Sequence, residues 1–237
     1  MPAHAPKIKF CGLTSLADAQ LAAQAGAWAI GLIFWPRSPR RCAPEAAAEI
    51  AGALRRRVEV AGVFVNATLD HVAQIADAVG LTMLQLHGDE GPSYCAEAAR
   101  RTGCKVIKAA RVRSRADIQA LASFHTDYHL LDSYVPGLPG GTGEAFAWEL
   151  ARAHKGPAPV ILSGGLNAGN VGEAIAAVSP FAVDVASGVE ASPGHKDPAR
   201  LEAFTAAVLE AGPHAARPRR VHAPAGRSAH ARTGTSS

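Results

Sequence analysis

The sequence predicts a single eight-stranded parallel (β/α)8 barrel. Short apolar segments alternate eight times with helical patterns, as expected for parallel strands that are covered by helices. The length of 237 residues suits one such barrel, which usually takes roughly 200 to 250 residues. The last two predicted strands end in small-residue turns, Gly164-Gly165 and Ser187-Gly188. Loops after strands seven and eight of a barrel are a common phosphate site, so the pattern also predicts a phosphorylated substrate.

The first half of the chain supplies four strand and helix pairs. Lys7–Cys11 is the first predicted strand, and Ser15 caps an amphipathic helix that runs to Ala25. Gly26 closes this helix before the next apolar segment. The remaining strands of this half are predicted at Ala27–Phe34, Glu59–Val65 and Met83–Leu86, and its helices at Pro44–Arg56, Leu69–Val79 and Pro92–Arg101.

The second half supplies the other four pairs. A long glycine-rich loop, YVPGLPGGTGE, follows the sixth strand, and Asn167 is predicted to cap the helix after the seventh. Strands are predicted at Lys105–Ala109, Tyr128–Asp132, Val160–Ser163 and Phe181–Val185, and helices at Arg115–Leu121, near Phe146–Ala151, from Asn167 onward and at Pro198–Glu210. Eight pairs favour a closed barrel over an open doubly wound sheet, and no G-x-G-x-x-G follows the first strand.

The charge distribution divides the chain into a body and a tail. Five arginines and no acid lie in residues 213–237, which leaves 19 of the 24 basic side chains against all 20 acids in residues 1–212. The nearly neutral body argues against a nucleic-acid-binding protein, and the Pro/Ala/Gly/Ser-rich tail is predicted to be disordered. We therefore expect a barrel domain at 1–212 and a basic tail at 213–237.

The cysteines and the N-terminus indicate a cytoplasmic protein. The four cysteines show no C-x-x-C spacing, which fits a reducing compartment, and no His/Cys/Asp/Glu grouping has metal-ligand spacing. The N-terminal residues lack an apolar segment long enough for a signal peptide, and no stretch approaches 18 apolar residues. We predict no membrane association and no metal.

Polar residues at the C-terminal ends of barrel strands are candidates for catalysis, because these ends converge on one pocket. They are Cys11, Arg37, Arg40, Asn66, His87, Asp132 and Asp184. Cys11 and Asp132 form a plausible pair for proton transfer. The alternatives are that Cys11 only fills the core and that Asp132 only caps the following loop.

The other candidates are binding residues. Arg40 could hold a planar carboxylate by two parallel hydrogen bonds, although most loop arginines are solvated surface cations. His87 could equally be a structural histidine at a strand end. Ser163 and Ser187 have no paired histidine in the sequence, so they are predicted to be phosphate ligands rather than nucleophiles.

These motifs together resemble the phosphoribosylanthranilate isomerase family. The resemblance covers residues 7–211 and is carried by KIKFCGLT, AIGLIFWPRSPR, AGVFVN, LQLHGDE, LLDS with GGTGEAFAW, ILSGGLNAGNV and FAVDVASGVEASPGHKD. It implies an Amadori rearrangement without a cofactor, in tryptophan biosynthesis, acting on a small phosphosugar. Phe10 and Ala186 depart from residues common in the family, isoleucine and serine.

The resemblance implies roles for several of these candidates. Asp132 would be the general acid, Cys11 the general base, and Arg40 the ligand of the anthranilate carboxylate. His87 and Asp184 would also bind substrate, and the phosphate would lie on Ser163, Gly164, Gly165, Ser187 and Gly188. The chemistry requires a lowered pKa at Cys11 and a raised one at Asp132.

The sequence is compatible with two other functions. The histidine-pathway isomerase family performs the same type of rearrangement, but it is expected to use an aspartate where this chain has Cys11. A non-catalytic phosphate-binding barrel, or one whose basic tail docks nucleic acid, would not need a facing acid and thiol. Monomer and homodimer are both compatible with the sequence.

Overall fold

The computed structural model describes residues 5–132 and 148–212 and forms a closed barrel of eight parallel strands. Each strand pairs with its neighbour along the chain, and β8 closes the barrel by pairing with β1. The strands are β1 Lys7–Cys11, β2 Ala29–Ile33, β3 Glu59–Phe64, β4 Met83–Leu86, β5 Lys105–Arg111, β6 Tyr128–Asp132, β7 Val160–Ser163 and β8 Ala182–Val185. The predicted fold class is confirmed.

Helices connect successive strands and pack around the outside of the barrel. They are α1 Leu16–Gln24, α2 Pro44–Ala53, α3 Leu69–Val79, α4 Pro92–Thr102, α5 Arg115–Ala120, α6 at residues 148–151, α7 Val171–Val178 and α8 Pro198–Ala211. Within the described ranges, none of the helices is both long and apolar enough to cross a membrane.

Local capping chemistry explains where several helices begin and end. The Ser15 hydroxyl accepts a hydrogen bond from the Asp18 amide, as predicted, and Thr68 caps α3 in the same way. Gly80 ends α3 at a φ of 74°, a conformation in which glycine is favoured. Each such cap contributes roughly 1 kcal/mol to helix stability.

Apolar side chains fill two layers. The larger cluster lies between the sheet and the helices, where Phe10 meets Phe204 edge to face at 6.2 Å. A smaller cluster fills the barrel interior, and the rings of Trp28, Tyr128 and Phe181 pack against it with centroids 5.3 to 5.5 Å apart. Apolar side chains therefore fill the barrel interior near the N-terminal ends of the strands, which leaves the rim at the C-terminal ends for polar groups.

The structure corrects one predicted cap and adds one element. Helix α7 begins at Val171 with Asn170 as its N-cap, so the prediction that Asn167 caps it was wrong. Asn167 instead accepts a hydrogen bond from the Gly169 amide in a turn before the helix. An unpredicted hairpin, β9 Glu190–Ser192 and β10 His195–Lys196, follows β8.

Two sequence predictions fall outside the described residues. They are the glycine-rich loop after β6, with the first residues predicted for the sixth helix, and the basic tail from residue 213.

The two ends of the described chain lie side by side. A methyl group built on Gly212, just after α8, would lie 2.5 Å from the Cβ of Ala5, just before β1. The first strand and the last helix therefore close the molecule at one place.

Candidate active site

A cavity of about 350 Å³ opens at the C-terminal ends of the strands. Nine of the ten predicted site residues line it: Cys11, Arg40, His87, Asp132, Ser163, Gly164, Gly165, Asp184 and Ser187. Gly188 follows Ser187 in the same turn without lining the cavity. Arg37 and Asn66 line neighbouring depressions on the same rim rather than this cavity.

Cys11 is the last residue of β1 and points into the barrel. It is only 6% exposed, and Gly31 of β2 lies opposite it in the strand register. A methyl group at Gly31 would lie 2.6 Å from the Cys11 sulfur, so the glycine makes room for the thiol. Gly12 has a φ of 76°, and a methyl group there would lie 2.7 Å from Cδ of Arg40. Two glycines thus bring the thiol and the arginine to the same cavity.

A buried ion pair lies next to the thiol inside the barrel, at the preceding inward-facing residue of β1. The Lys9 ammonium donates a hydrogen bond of 2.8 Å to Oδ1 of Asp184, its partner in the register between β1 and β8. Lys9 is fully buried, and Ser163 donates to Oδ2 of Asp184 at 3.2 Å. Asp184 therefore links the thiol side of the cavity to the serine at the end of β7.

The pKa of the Cys11 thiol is raised in the substrate-free chain. Burial is the main cause, and the positive charges of Lys9 and Lys196 act in the opposite direction. Burial also opposes the charged form of Lys9, but Asp184 and Cys11 outweigh it and raise the pKa of Lys9. The lowered pKa that the chemistry requires at Cys11 is therefore not present in the substrate-free chain, although two cationic side chains act in that direction.

Asp132 ends β6 and contacts His87. The distance from Nε2 of His87 to Oδ2 of Asp132 is 3.5 Å, and both side chains are partly open to the cavity. The Gln85 amide lies 3.1 Å from Nδ1 of His87. Nδ1 of His87 thus faces Gln85, and Nε2 faces the Asp132 carboxylate. His87 can therefore orient Asp132.

Glycine turns follow β7 and β8, at the positions where phosphate binding is predicted. Gly164 and Gly165 have φ values of 100° and 67°, which favour glycine at both positions. At Gly188 a methyl group would lie 2.0 Å from the Leu166 carbonyl oxygen, so the two turns touch. A phosphate could approach the main-chain amides of these turns without meeting a side chain.

Arg40 is held from the side by Glu190. Its Nε and Nη2 donate to the Glu190 carboxylate at 2.9 and 2.7 Å, and Glu190 in turn accepts from Lys196 at 3.0 Å. Both Glu190 and Lys196 are buried. Burial acts to raise the pKa of Glu190, but its hydrogen bonds to Arg40 and Lys196 outweigh burial and lower it.

Three charged residues around the site were not predicted from the sequence: Lys9, Glu190 and Lys196. Lys9 was detectable, because residues two apart in a strand face the same side and Cys11 faces the pocket. Glu190 and Lys196 belong to a hairpin with no distinct strand pattern, so their proximity to Arg40 carried no local signal.

The described residues offer no metal site. Across residues 5–132 and 148–212, no three histidine, cysteine, aspartate or glutamate side chains form a group that could hold a metal ion. The cavity instead combines a thiol, a carboxylic acid, an arginine and glycine turns. Such a set can move protons between two sides of an anionic substrate.

Comparison with known proteins gives consistent matches. The family model described as N-(5'-phosphoribosyl)anthranilate (PRA) isomerase matches residues 8–207. A curated relative of that name from Citrifermentans bemidjiense is 50% identical over 200 residues, covering 84% of this chain and 95% of the relative. A relative from Pseudomonas putida is 48% identical over 205 residues, covering 86% of this chain and 97% of the relative.

Solved structures give the same result. The phosphoribosyl anthranilate isomerase of Thermotoga maritima superposes with a TM-score of 0.78 at 39% identity, covering 86% of this chain and 99% of that one. Another structure, an isomerase with reduced 1-(o-carboxyphenylamino)-1-deoxyribulose 5-phosphate bound, superposes with a TM-score of 0.74 at 36% identity, with the same coverage. The chain belongs to the phosphoribosylanthranilate isomerase family.

Proposed function

We propose that the chain converts N-(5'-phosphoribosyl)anthranilate to 1-(2-carboxyphenylamino)-1-deoxyribulose 5-phosphate, with Asp132 as general acid and Cys11 as general base. The observation that carries the assignment is that both side chains line one cavity, at the ends of β6 and β1. The glycine turns of β7 and β8 lie on the same cavity, where they can bind the phosphate.

Asp132 begins the reaction by protonating the furanose ring oxygen. The bond between C1 and this oxygen then breaks, and the lone pair of the anthranilate nitrogen forms the C=N bond of a Schiff base. His87, 3.5 Å from Asp132, holds the carboxyl group towards the cavity. A positioned acid of this kind typically contributes a rate factor of about 10² to 10⁴.

Cys11 completes the reaction as a thiolate. It removes the C2 proton, and the electron pair of that bond neutralises the iminium to give an enolamine. Protonation at C1 and loss of the C2 hydroxyl proton then give the ketone. These proton transfers balance the isomerisation, so we assign no cofactor. Lys9 and Lys196 favour the thiolate against burial.

The remaining residues hold the two anionic ends of the substrate. Ser163, Gly164, Gly165, Ser187 and Gly188 are assigned to the phosphate, with Asp184 orienting the Ser163 hydroxyl. Arg40 is assigned to the anthranilate carboxylate. With both ends held, the ribose carbons lie between the acid and the base.

The test follows fluorescence decay of freshly generated phosphoribosylanthranilate. The wild type should consume it, and Cys11→Ala and Asp132→Asn should each lower kcat by roughly 100-fold or more, the size expected for losing a general base or acid. Cys42→Ala and Asp70→Asn are matched controls, because Cys42 is buried behind the barrel wall and Asp70 is on exposed α3.

Three results would contradict the proposal. Turnover of the histidine-pathway substrate alone would mean that the fold is right and the substrate wrong. Full activity of Cys11→Ala would remove the thiol from the mechanism, while inactivity towards both substrates would favour a binding protein.

A further inference from the structure

The hairpin β9–β10 places a buried acid behind Arg40. Glu190 belongs to β9 and Lys196 to β10, and with Arg40 they form what we term the hairpin cluster. The side chains of Glu190 and Lys196 are 4% and 0% exposed, whereas that of Arg40 is 22% exposed. The two hairpin residues of the cluster are thus buried, and only the arginine reaches the cavity surface.

Glu190 occupies one particular edge of the guanidinium. Its two oxygens accept from Nε at 2.9 and 3.0 Å, and Oε2 also accepts from Nη2 at 2.7 Å. These two nitrogens form the side edge of the planar group. The end edge, formed by Nη1 and the second hydrogen of Nη2, stays available for a bidentate contact with another carboxylate.

The charges of the hairpin cluster leave room for one more anion. Arg40 and Lys196 are cationic and Glu190 is anionic, so the three side chains together carry one positive charge. A bound carboxylate would bring the total to zero in a partly buried site. Because an uncompensated buried charge is costly, this balance favours a monoanionic group opposite the end edge.

Lys196 connects the buried part of the hairpin cluster to the rest of the site. Its ammonium donates to the main-chain oxygen of Cys11 at 2.7 Å and to that of Ala186 at 3.1 Å, as well as to Glu190. Cys11 carries the proposed base, and Ala186 directly precedes the phosphate turn at Ser187. Glu190 is therefore fixed relative to both the thiol and the phosphate end.

From this geometry we infer that Glu190, anchored by Lys196, is a positioning residue that aims the end edge of Arg40 at the substrate carboxylate and so selects aromatic ortho-carboxylates. The inference rests on the proposed function, in which Arg40 binds the anthranilate carboxylate. Glu190 touches no reacting atom in this scheme, and its effect passes entirely through Arg40.

The test compares two phosphorylated inhibitors on the same protein preparation. One is the reduced product 1-(2-carboxyphenylamino)-1-deoxyribitol 5-phosphate, and the other is its counterpart without the carboxylate, 1-phenylamino-1-deoxyribitol 5-phosphate. Glu190→Gln keeps the side-chain volume but removes the charge and one acceptor. It should lower the affinity ratio of the two inhibitors about tenfold or more, the size of a lost charge-assisted hydrogen bond. Affinity for the second inhibitor should stay unchanged.

Kinetics and a double-mutant cycle separate positioning from a general structural effect. Glu190→Gln should raise KM for the substrate while kcat stays near the wild-type value, since uniform binding is lost. In an Arg40→Met background the same substitution should leave KM and the inhibitor ratio unaltered, because Glu190 acts through Arg40. Glu97→Gln is the matched control, since Glu97 accepts comparable contacts from Arg100 and Arg101 on the exposed surface of α4.

The ratio of the two inhibitor affinities does not depend on the fraction of folded protein, so partial misfolding of a variant does not change it. An unchanged inhibitor ratio in Glu190→Gln overturns the inference. The inference also fails if Glu190→Gln lowers the ratio as much in the Arg40→Met background as it does in the wild type. If the wild type binds neither inhibitor, the proposed function itself fails, and that result is distinct from failure of the positioning role.

Discussion

The chemistry of this site depends on which side chains share the inner face of β1. Lys9 and Cys11 are two residues apart, so both point into the barrel and the ammonium lies beneath the sulfur. A methyl group at Gly31 would lie 2.6 Å from the sulfur and 3.0 Å from Nζ of Lys9, so the two groups meet over this glycine. The charge of one buried lysine can therefore influence how easily the thiol ionises.

Replacing Lys9 should make the Cys11 thiol harder to ionise. Burial already raises the pKa of Cys11, and Lys9 is the largest influence acting against it. In Lys9→Met, alkylation of Cys11 by iodoacetamide near pH 8 should slow about tenfold or more, because the thiolate loses a neighbouring positive charge. The rate should rise with pH in both proteins, with a midpoint shifted upward in the variant.

The alkylation measurement needs a background in which the three other buried cysteines are alanine: Cys42, Cys95 and Cys104. The double variant Lys9→Met/Asp184→Asn removes both charges of the ion pair. It shows whether the unpaired negative charge of Asp184 contributes to the slower alkylation in Lys9→Met. Lys7→Met is the control, since Lys7 is on the same strand but lies over the rings of Trp28 and Phe181 at the other end. Equal alkylation rates in Lys9→Met and its parent would refute the role of Lys9.

At the scale of elements, the site is assembled by turns that contact each other across the rim. The turn after β7 carries Gly164 and Gly165, and the turn after β8 carries Ser187 and Gly188. They touch where Gly188 passes the Leu166 carbonyl oxygen. The hairpin β9–β10 extends the second turn and reaches back to β1 through Lys196. One continuous segment after β8 therefore supplies several of the proposed substrate-binding residues.

Gly188→Ala should disturb the proposed phosphate site. The added methyl group would lie 2.0 Å from a main-chain oxygen that no rotamer change can move, so the two turns must separate. We expect a loss of roughly 1 to 3 kcal/mol in the free energy of unfolding, the usual cost of overpacking. Steady-state kinetics should show a higher KM, and inorganic phosphate should inhibit the variant less strongly than the wild type.

Gly52→Ala is the matched control for this substitution. Gly52 is in α2 with nothing within 4 Å of the added methyl group. Alanine there should raise the free energy of unfolding by up to about 1 kcal/mol through helix propensity, without changing KM. A Gly188→Ala protein with wild-type KM would show that the two turns tolerate separation.

For the whole molecule, the eightfold repetition of a local pattern made the fold predictable. Short apolar strands and amphipathic helices are visible in the sequence, and the predicted bounds of β1, β4, β6 and β7 match the structure. Asn167 was mistaken for a cap because Asn170 offers the same side chain three residues later. Local sequence alone could not distinguish the two.

The candidate site was predictable only in part, for a physical reason. Strand ends converge in a barrel, so Cys11, Asp132 and the glycine turns could be placed on one rim from sequence order. The contact between Arg40 and Glu190 joins residues 150 positions apart. It depends on how a loop and a hairpin pack, which has no periodic signature in the chain.

Removal of the tail should leave the enzyme intact. Helix α8 ends at Ala211, so a chain that ends at Gly212 retains all eight strands and helices of the barrel. Its kcat/KM and midpoint of thermal unfolding should equal those of the full chain. Retention on heparin should disappear, because residues 213–237 carry five arginines and no acid. A truncated protein with altered kcat/KM would place part of the active unit beyond residue 212.

Ala5 and Gly212 lie close together, and the eight strands form a closed ring, so the strand order has no structural beginning or end. A short peptide could join these two positions, and the chain could begin instead at another loop on the face opposite the site, such as residues 55–57 after α2. Every strand would keep its neighbours, and the rim residues would still meet. The arrangement of the rim residues therefore depends on which strands are adjacent and not on where along the barrel the chain begins.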